Sequence, residues 1–384
     1  MGTYKNYILI YSLFIVSFVF TSVFIFRGIF TPLGEESFGR IWHYFLDWSD
    51  FGFSKRALFG TFIEVTQLTT FIEDPYFLAY FVYLILLISV FILLAKVILQ
   101  SGIADQGTLV LFGIIFSPGL MMHFGYTTGN LDILLFLLLM ILLFYISNTF
   151  LILLCVLISL LVHEMFIIFV PFFVFFRYLS LQQLSTKNLA AFFKPIIVLI
   201  FSVIACFAIM IFGSLEVPQI EFESLMQHQL GRASNQHSLW SGFYEVSSSV
   251  DSNIYIAHEL LRRDFNDLSF LGMFLALIPF FYLVCLMVIF YVRADLSFYK
   301  RILAILLMLL PLILTLLAND LYRWVGFSIK LCFIAIIFLA SKNKISLKKS
   351  DGFLLSILVL SGPYGDSSPL RPMPAIQFIF DNLF

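Results

Sequence analysis

Asp47 and Asp50 lie three residues apart in the stretch Asp47-Trp48-Ser49-Asp50-Phe51-Gly52-Phe53-Ser54-Lys55-Arg56, just after the first apolar run of the chain. Either carboxylate could supply a general base, since a carboxylate beside a low-dielectric wall has a raised proton affinity, and Asp50 and Asp47 are the two candidates. The competing reading at both positions is a salt bridge to Lys55 or Arg56.

Other polar groups at the ends of apolar runs are few. Asn130 and Asp132 stand in Gly-Asn-Leu-Asp, His163-Glu164 interrupts the run from Phe150 to Tyr178, and Asp320 and Arg323 stand in Asn-Asp-Leu-Tyr-Arg-Trp. Ionisable groups at membrane depth are costly, which makes them functional candidates. Each also has a structural reading. Asp132 opens a helix whose N-terminus favours negative charge. Arg323, three residues after Asp320 on one helical face, can grip a phosphate with two donors or simply hold Asp320. Glu164 is harder to dismiss, because a plain connection between two short helices needs no carboxylate. His163 beside it could orient it or a substrate.

These residues sit in a chain of 384 residues that is 61% hydrophobic and only 12% charged, with a mean hydropathy of +1.02. Soluble domains carry about 25% charged residues, and long apolar runs of this kind are transmembrane helices. The expected architecture is an all-α, polytopic transmembrane bundle of about ten or eleven spans, including short paired helices. The apolar runs cover 7–27, 76–99, 108–123, 132–147, 150–162, 165–178, 191–213, 269–293, 301–317 and 325–341, with a weaker one at 352–361. The first reads as a retained helix and not as a removed signal peptide. Residues 1–350 are expected to form one membrane module and 351–384 a weak apolar segment with a tail.

With the N-terminus inside, the inner loops collect Lys5, Lys96, Arg177, Lys187, Lys194, Arg293, Lys300, Arg301, Lys342, Lys344, Lys348 and Lys349, against only Asp105 and Asp295. That bias sets the expected orientation in a plasma (bacterial inner) membrane. The two long segments 28–75 and 214–268 then face outward, as do all six histidines and most of the isolated polar groups; Lys330 is left within a span. Trp42, Tyr44, Phe45 and Trp48 would suit the headgroup level. The second segment adds Arg232, His228, His237, Trp240, Tyr244, His258, Arg262 and Arg263, with a helical pattern near 253–263.

Several chemistries are excluded by their missing motifs. His163-Glu164 has Ile167 where a zinc-protease helix needs its second histidine, and His258-Glu259 has Arg262 there. No phosphate-cradling loop or Gly-x-Ser-x-Gly elbow is present. The four cysteines fall in apolar runs and predict neither a disulfide nor a zinc site. A net charge of -1 suggests no nucleic-acid partner.

In layout the chain resembles the GT-C superfamily of integral-membrane glycosyltransferases, over about the first 340 residues. The matching positions are Asp47 and Asp50 after the first span, the His163-Glu164 apex of short helices, and Asp320 to Arg323 at a later span end. The acidic motif differs, since Trp48 and Ser49 separate the two aspartates. The resemblance implies a polyprenyl-phosphate-linked sugar donor, an external glycan or lipid-linked acceptor, and inverting displacement of the lipid phosphate. On that reading Asp50, or Asp47, is the base. Arg323, with Arg232 or Lys55 and Arg56, neutralises the leaving phosphate. Asn130, Asp132, His163, Glu164 and Asp320 are substrate-binding candidates. No cofactor is implied by a motif, although a divalent metal is compatible with the carboxylates. A polysaccharide polymerase of the Wzy type is the alternative in the same class, and a secondary transporter the alternative from another.

Overall fold

A computed structural model of the chain describes residues 2–30, 40–117, 119–120, 123–124, 130–180, 189–215, 217–230, 236–247, 255, 269–316 and 321–360. Among them every regular element is helical. In chain order the helices are α1 (Gly2–Phe30), α2 (Trp48–Phe51), α3 (Leu58–Val65), α4 (Leu68–Phe71), α5 (Pro75–Gln100), α6 (Thr108–Ile115), α7 (Asp132–Phe144) and α8 (Thr149–Val162). There follow α9 (Phe169–Val174), α10 (Leu189–Phe212), α11 (Gln219–Leu230), α12 (Gln236–Ser247), α13 (Ser269–Arg293), α14 (Phe298–Leu309), α15 (Leu321–Ser341) and α16 (Lys349–Ile357). Among the described residues four stretches are long and apolar enough to cross a membrane, namely Pro75–Gln100, Phe193–Phe212, Phe298–Thr315 and Arg323–Ser341. Shorter apolar stretches are Tyr7–Val19, Asp132–Phe144, Thr149–Val162 and Leu277–Arg293.

The chain divides into two compact units. One comprises Met1–Phe24, Phe91–Thr127 and Val250–Phe384, the other Ile25–Val90 and Thr128–Ser249.

In the first unit α16 packs on α6 at two glycines. A side chain on Gly113 would strike Leu355, and one on Gly352 would strike the backbone of Val110. Asp351 accepts from Arg293 Nη2 and from the Lys348 amide, at 2.8 and 2.7 Å, which ties the end of α13 to the start of α16. In α15, 94% of its apolar window is buried within the protein, and Lys330 is fully buried with its ammonium 4.6 Å from the Phe124 ring and 4.7 Å from that of Phe327.

The second unit carries the helical hairpin that the sequence predicts. The Asn148 side chain caps α8 by accepting from the amides of Phe150 and Leu151 at 2.8 and 3.3 Å. At the far end His163 turns extended (φ -162°, ψ 121°), and its Nδ1 accepts from the Met165 amide at 3.3 Å to start the 3-10 turn Glu164–Ile168. α9 and the π turn Phe175–Leu179 then run back, bringing Arg177 to the carbonyls of Leu143 and Ile146 at 3.0 and 3.1 Å. A cation satisfies the orphan carbonyls at the C-terminus of α7 in this way. Asp132, at the start of α7, and Glu164 are thereby set at the opposite end of these short helices from Arg177.

At that end the segments 41–65 and 219–247 fold onto each other. Phe51 packs on Phe222 with ring centroids 5.3 Å apart, and Phe222 on Phe243 at 5.7 Å. Gly242 lies so close to Trp42 that a Cβ there would be 2.9 Å from the indole. The headgroup-level placement expected for Trp42, Tyr44 and Phe45 is overturned: all three are buried in the core of this unit. The exposed large apolar side chains between residues 41 and 75 are Phe53, Phe62, Val65 and Phe71 instead. Trp42 and Tyr44 can leave the interface because this segment is long enough to enclose a core of its own.

Candidate functional site

The stretch from Asp47 to Arg56 is a braced loop. Asp47 stands just before the one-turn helix α2, and its Oδ1 accepts from the Asp50 amide at 2.8 Å and from the Ser49 hydroxyl at 2.7 Å. A carboxylate at an N-cap satisfies amides that a short helix leaves open. The Trp48 amide donates to Thr61 Oγ1 at 2.9 Å, and its indole nitrogen to the Ser54 carbonyl at 3.1 Å. α3 fits against the loop because residue 60 is glycine: a Cβ there would lie 2.0 Å from the Leu46 carbonyl oxygen. Gly52 turns the chain with φ +67°, and the Lys55 amide then donates to the Gly213 carbonyl at 2.8 Å.

The two aspartates differ in setting. Asp47 is 3% exposed and receives three donors, the third being Gln229 Nε2 on its Oδ2 at 3.0 Å. Asp50 is exposed, and Gln229 Nε2 donates to its Oδ2 at 2.8 Å. Asp47 is committed to holding the loop, whereas Asp50 presents its carboxylate to solvent.

Arg56 and Glu164 form the other half of the arrangement. Arg56 Nε donates to both carboxylate oxygens at 3.1 Å, and Nη2 donates to Oε1. The side chains are 12% and 15% exposed. His163 Nδ1 lies 3.4 Å from Glu164 Oε2. Burial pushes the Glu164 carboxyl up, but the Arg56 guanidinium bonded to it outweighs that and holds the group well below the usual carboxylate range. Arg56 reaches this geometry with φ +69°, in the left-handed region that costs a residue with a Cβ about 1–2 kcal/mol. The pair fastens the loop to the apex of the helical hairpin, so the salt bridge expected of Arg56 is made with Glu164.

The remaining candidates fall in three places. Asn130 and Asp132 are buried at the start of α7. Asp132 lies near Tyr44, whose phenol is pushed up by burial first and by the Asp132 charge second. Lys55 is half-buried in the loop. Arg323 belongs to the first unit, buried, with its guanidinium 5.0 Å from the Trp324 ring. Arg232 and Asp320 lie outside the described residues, as does the helical pattern near 253–263 apart from Tyr255. The second unit thus brings Asp47, Asp50, Lys55, Arg56, His163 and Glu164 to the segments around one loop and the hairpin apex. Gln229 joins them without having been singled out in the sequence. It is one of several glutamines on a polar helix, and no spacing marks it.

Among the described residues no three carboxylate, imidazole or thiol side chains converge as a metal site. No protein-family model, curated protein or solved structure matches the chain.

Proposed function

We propose that the chain is an integral-membrane glycosyltransferase that moves a sugar from a polyprenyl-phosphate donor to an acceptor hydroxyl, with inversion at the anomeric carbon. The observation that carries this reading is the pair Asp47 and Asp50, one buried and structurally committed, the other exposed and held at 2.8 Å by an amide from a distant helix. Asp50 takes the proton of the acceptor hydroxyl as its oxygen bonds to the anomeric carbon. The bond from that carbon to the lipid phosphate breaks, and the electron pair leaves on the phosphate oxygen. Asp47 and the Arg56–Glu164 pair keep the base in place. Lys55 in the same loop is one candidate to neutralise the phosphate, with Arg232 of the second long segment as a further candidate. On this reading the active face is periplasmic or extracellular, and the product belongs to the cell envelope.

The test is complementation of a deletion strain, with the surface glycan profiled by mass spectrometry. Asp50→Asn protein is expected to insert and accumulate normally while transfer falls at least about 100-fold, the loss a missing general base produces. Full product from both Asp50→Asn and Asp47→Asn would refute the assignment.

A further inference from the structure

Gln229 lies on α11, in the second long segment, 182 residues from Asp47 and 179 from Asp50. Its amide nitrogen carries two protons, and both are used, one on each carboxylate. The amide oxygen is buried and has no hydrogen-bond partner among the described residues. Turning the amide over would set that oxygen against two carboxylate oxygens and gain nothing, so the carboxylates fix its orientation. Packing does not demand this side chain, because Phe222, Met226 and Leu230 supply the buried face of α11.

We infer that Gln229 is the positioning residue that aims Asp50, an inference that rests on the glycosyltransferase reading. Asp47 is the fixed point, since the backbone and Ser49 already hold it. Gln229 adds the tie that stops the exposed Asp50 carboxylate from exchanging among rotamers. The candidate base is thus assembled only when α11 is docked on the loop, and the second segment becomes part of the site through one amide.

Full-length wild-type, Gln229→Leu, Gln229→Glu and Gln229→Lys proteins in lipid nanodiscs are compared by hydrogen exchange and by sugar transfer. The Asp50 amide is itself bonded to Asp47, so exchange over 47–53 reads the clamp without any substrate. The Leu and Glu variants, which cannot donate, are expected to exchange about tenfold faster over 47–53 with 149–162 unchanged. Their kcat is expected to fall about 100-fold, the cost of a misplacement of about 1 Å, with KM moving less than about threefold. The Lys variant keeps N–H donors and is expected to recover at least about tenfold of that loss. Wild-type exchange over 47–53 in Gln229→Leu overturns the inference, as does wild-type turnover. Faster exchange spread equally over 149–162 indicates a merely structural role and overturns it too. If the exchange contrast stands but the wild-type protein transfers no sugar from any polyprenyl-phosphate donor, the functional reading alone falls.

Discussion

Replacing Arg56 with alanine should be among the most damaging single changes to the second unit, and its size follows from the Glu164 contact. Three N–H to oxygen contacts join the side chains, which are 12% and 15% exposed. Removing one partner of a buried pair leaves an uncompensated charge and costs about 3–5 kcal/mol. The residual exposure lets water reach the orphaned carboxylate, which places Arg56→Ala near the lower end, about 3 kcal/mol. The left-handed backbone at φ +69° supplies an internal control. Alanine keeps that strain and glycine releases it, so Arg56→Gly should be more stable than Arg56→Ala by about 1 kcal/mol. Glu164→Gln removes the charge from the other side. The double variant Arg56→Ala/Glu164→Gln should lose less than the sum of the singles, by about 2 kcal/mol. Denaturant unfolding of the four variants in nanodiscs, followed by tryptophan fluorescence, measures each of these differences. An Arg56→Ala protein within about 0.5 kcal/mol of wild type, or an Arg56→Gly protein no more stable than it, would refute the reasoning.

Two further outcomes follow from the same geometry. The folded-state Glu164 carboxyl titrates below its unfolded value, so its contribution to stability is complete above the unfolded carboxyl value of about 4.3. It is lost progressively as pH falls from there toward the lower folded value. Unfolding followed from pH 6 to 3 should show that loss in wild type and a shallower slope in Glu164→Gln. Gly60→Ala drives a methyl into the Leu46 carbonyl and should destabilise by about 1–3 kcal/mol while displacing Asp47. A Gly60→Ala protein with unchanged melting and turnover would contradict the tight seating of α3 on the loop.

The helices were legible in the sequence because their signal is local. The apolar run from Phe150 to Tyr178 placed the hairpin, and His163-Glu164 within it marked the apex. The same reasoning found Asp47 and Asp50, since charges in a nearly uncharged chain stand out. Pairing was not legible. Arg56 sits close in sequence to both aspartates, yet it bonds to Glu164, 108 residues away. Nothing in composition distinguishes those partners, because the choice is made by the turn at Gly52 and the left-handed backbone at Arg56. Gln229 was invisible for a similar reason: a neutral amide on a polar helix carries no periodic or charge signal. The headgroup expectation for Trp42 and Tyr44 failed because amphipathic aromatics serve an interface and a wet core equally well.

The lysine at the middle of α15 bears on how the chain is made. On insertion scales a lysine at the centre of a span costs about 3 kcal/mol, as much as roughly six apolar side chains return at about 0.5 kcal/mol each. That cost takes up much of what the apolar side chains of α15 return, and with 94% of its apolar window buried the helix hardly meets lipid in the finished protein. Phe124, which faces the Lys330 ammonium, stands well before α15 in the chain, so the aromatic surface that receives the lysine is synthesised before the helix that carries it.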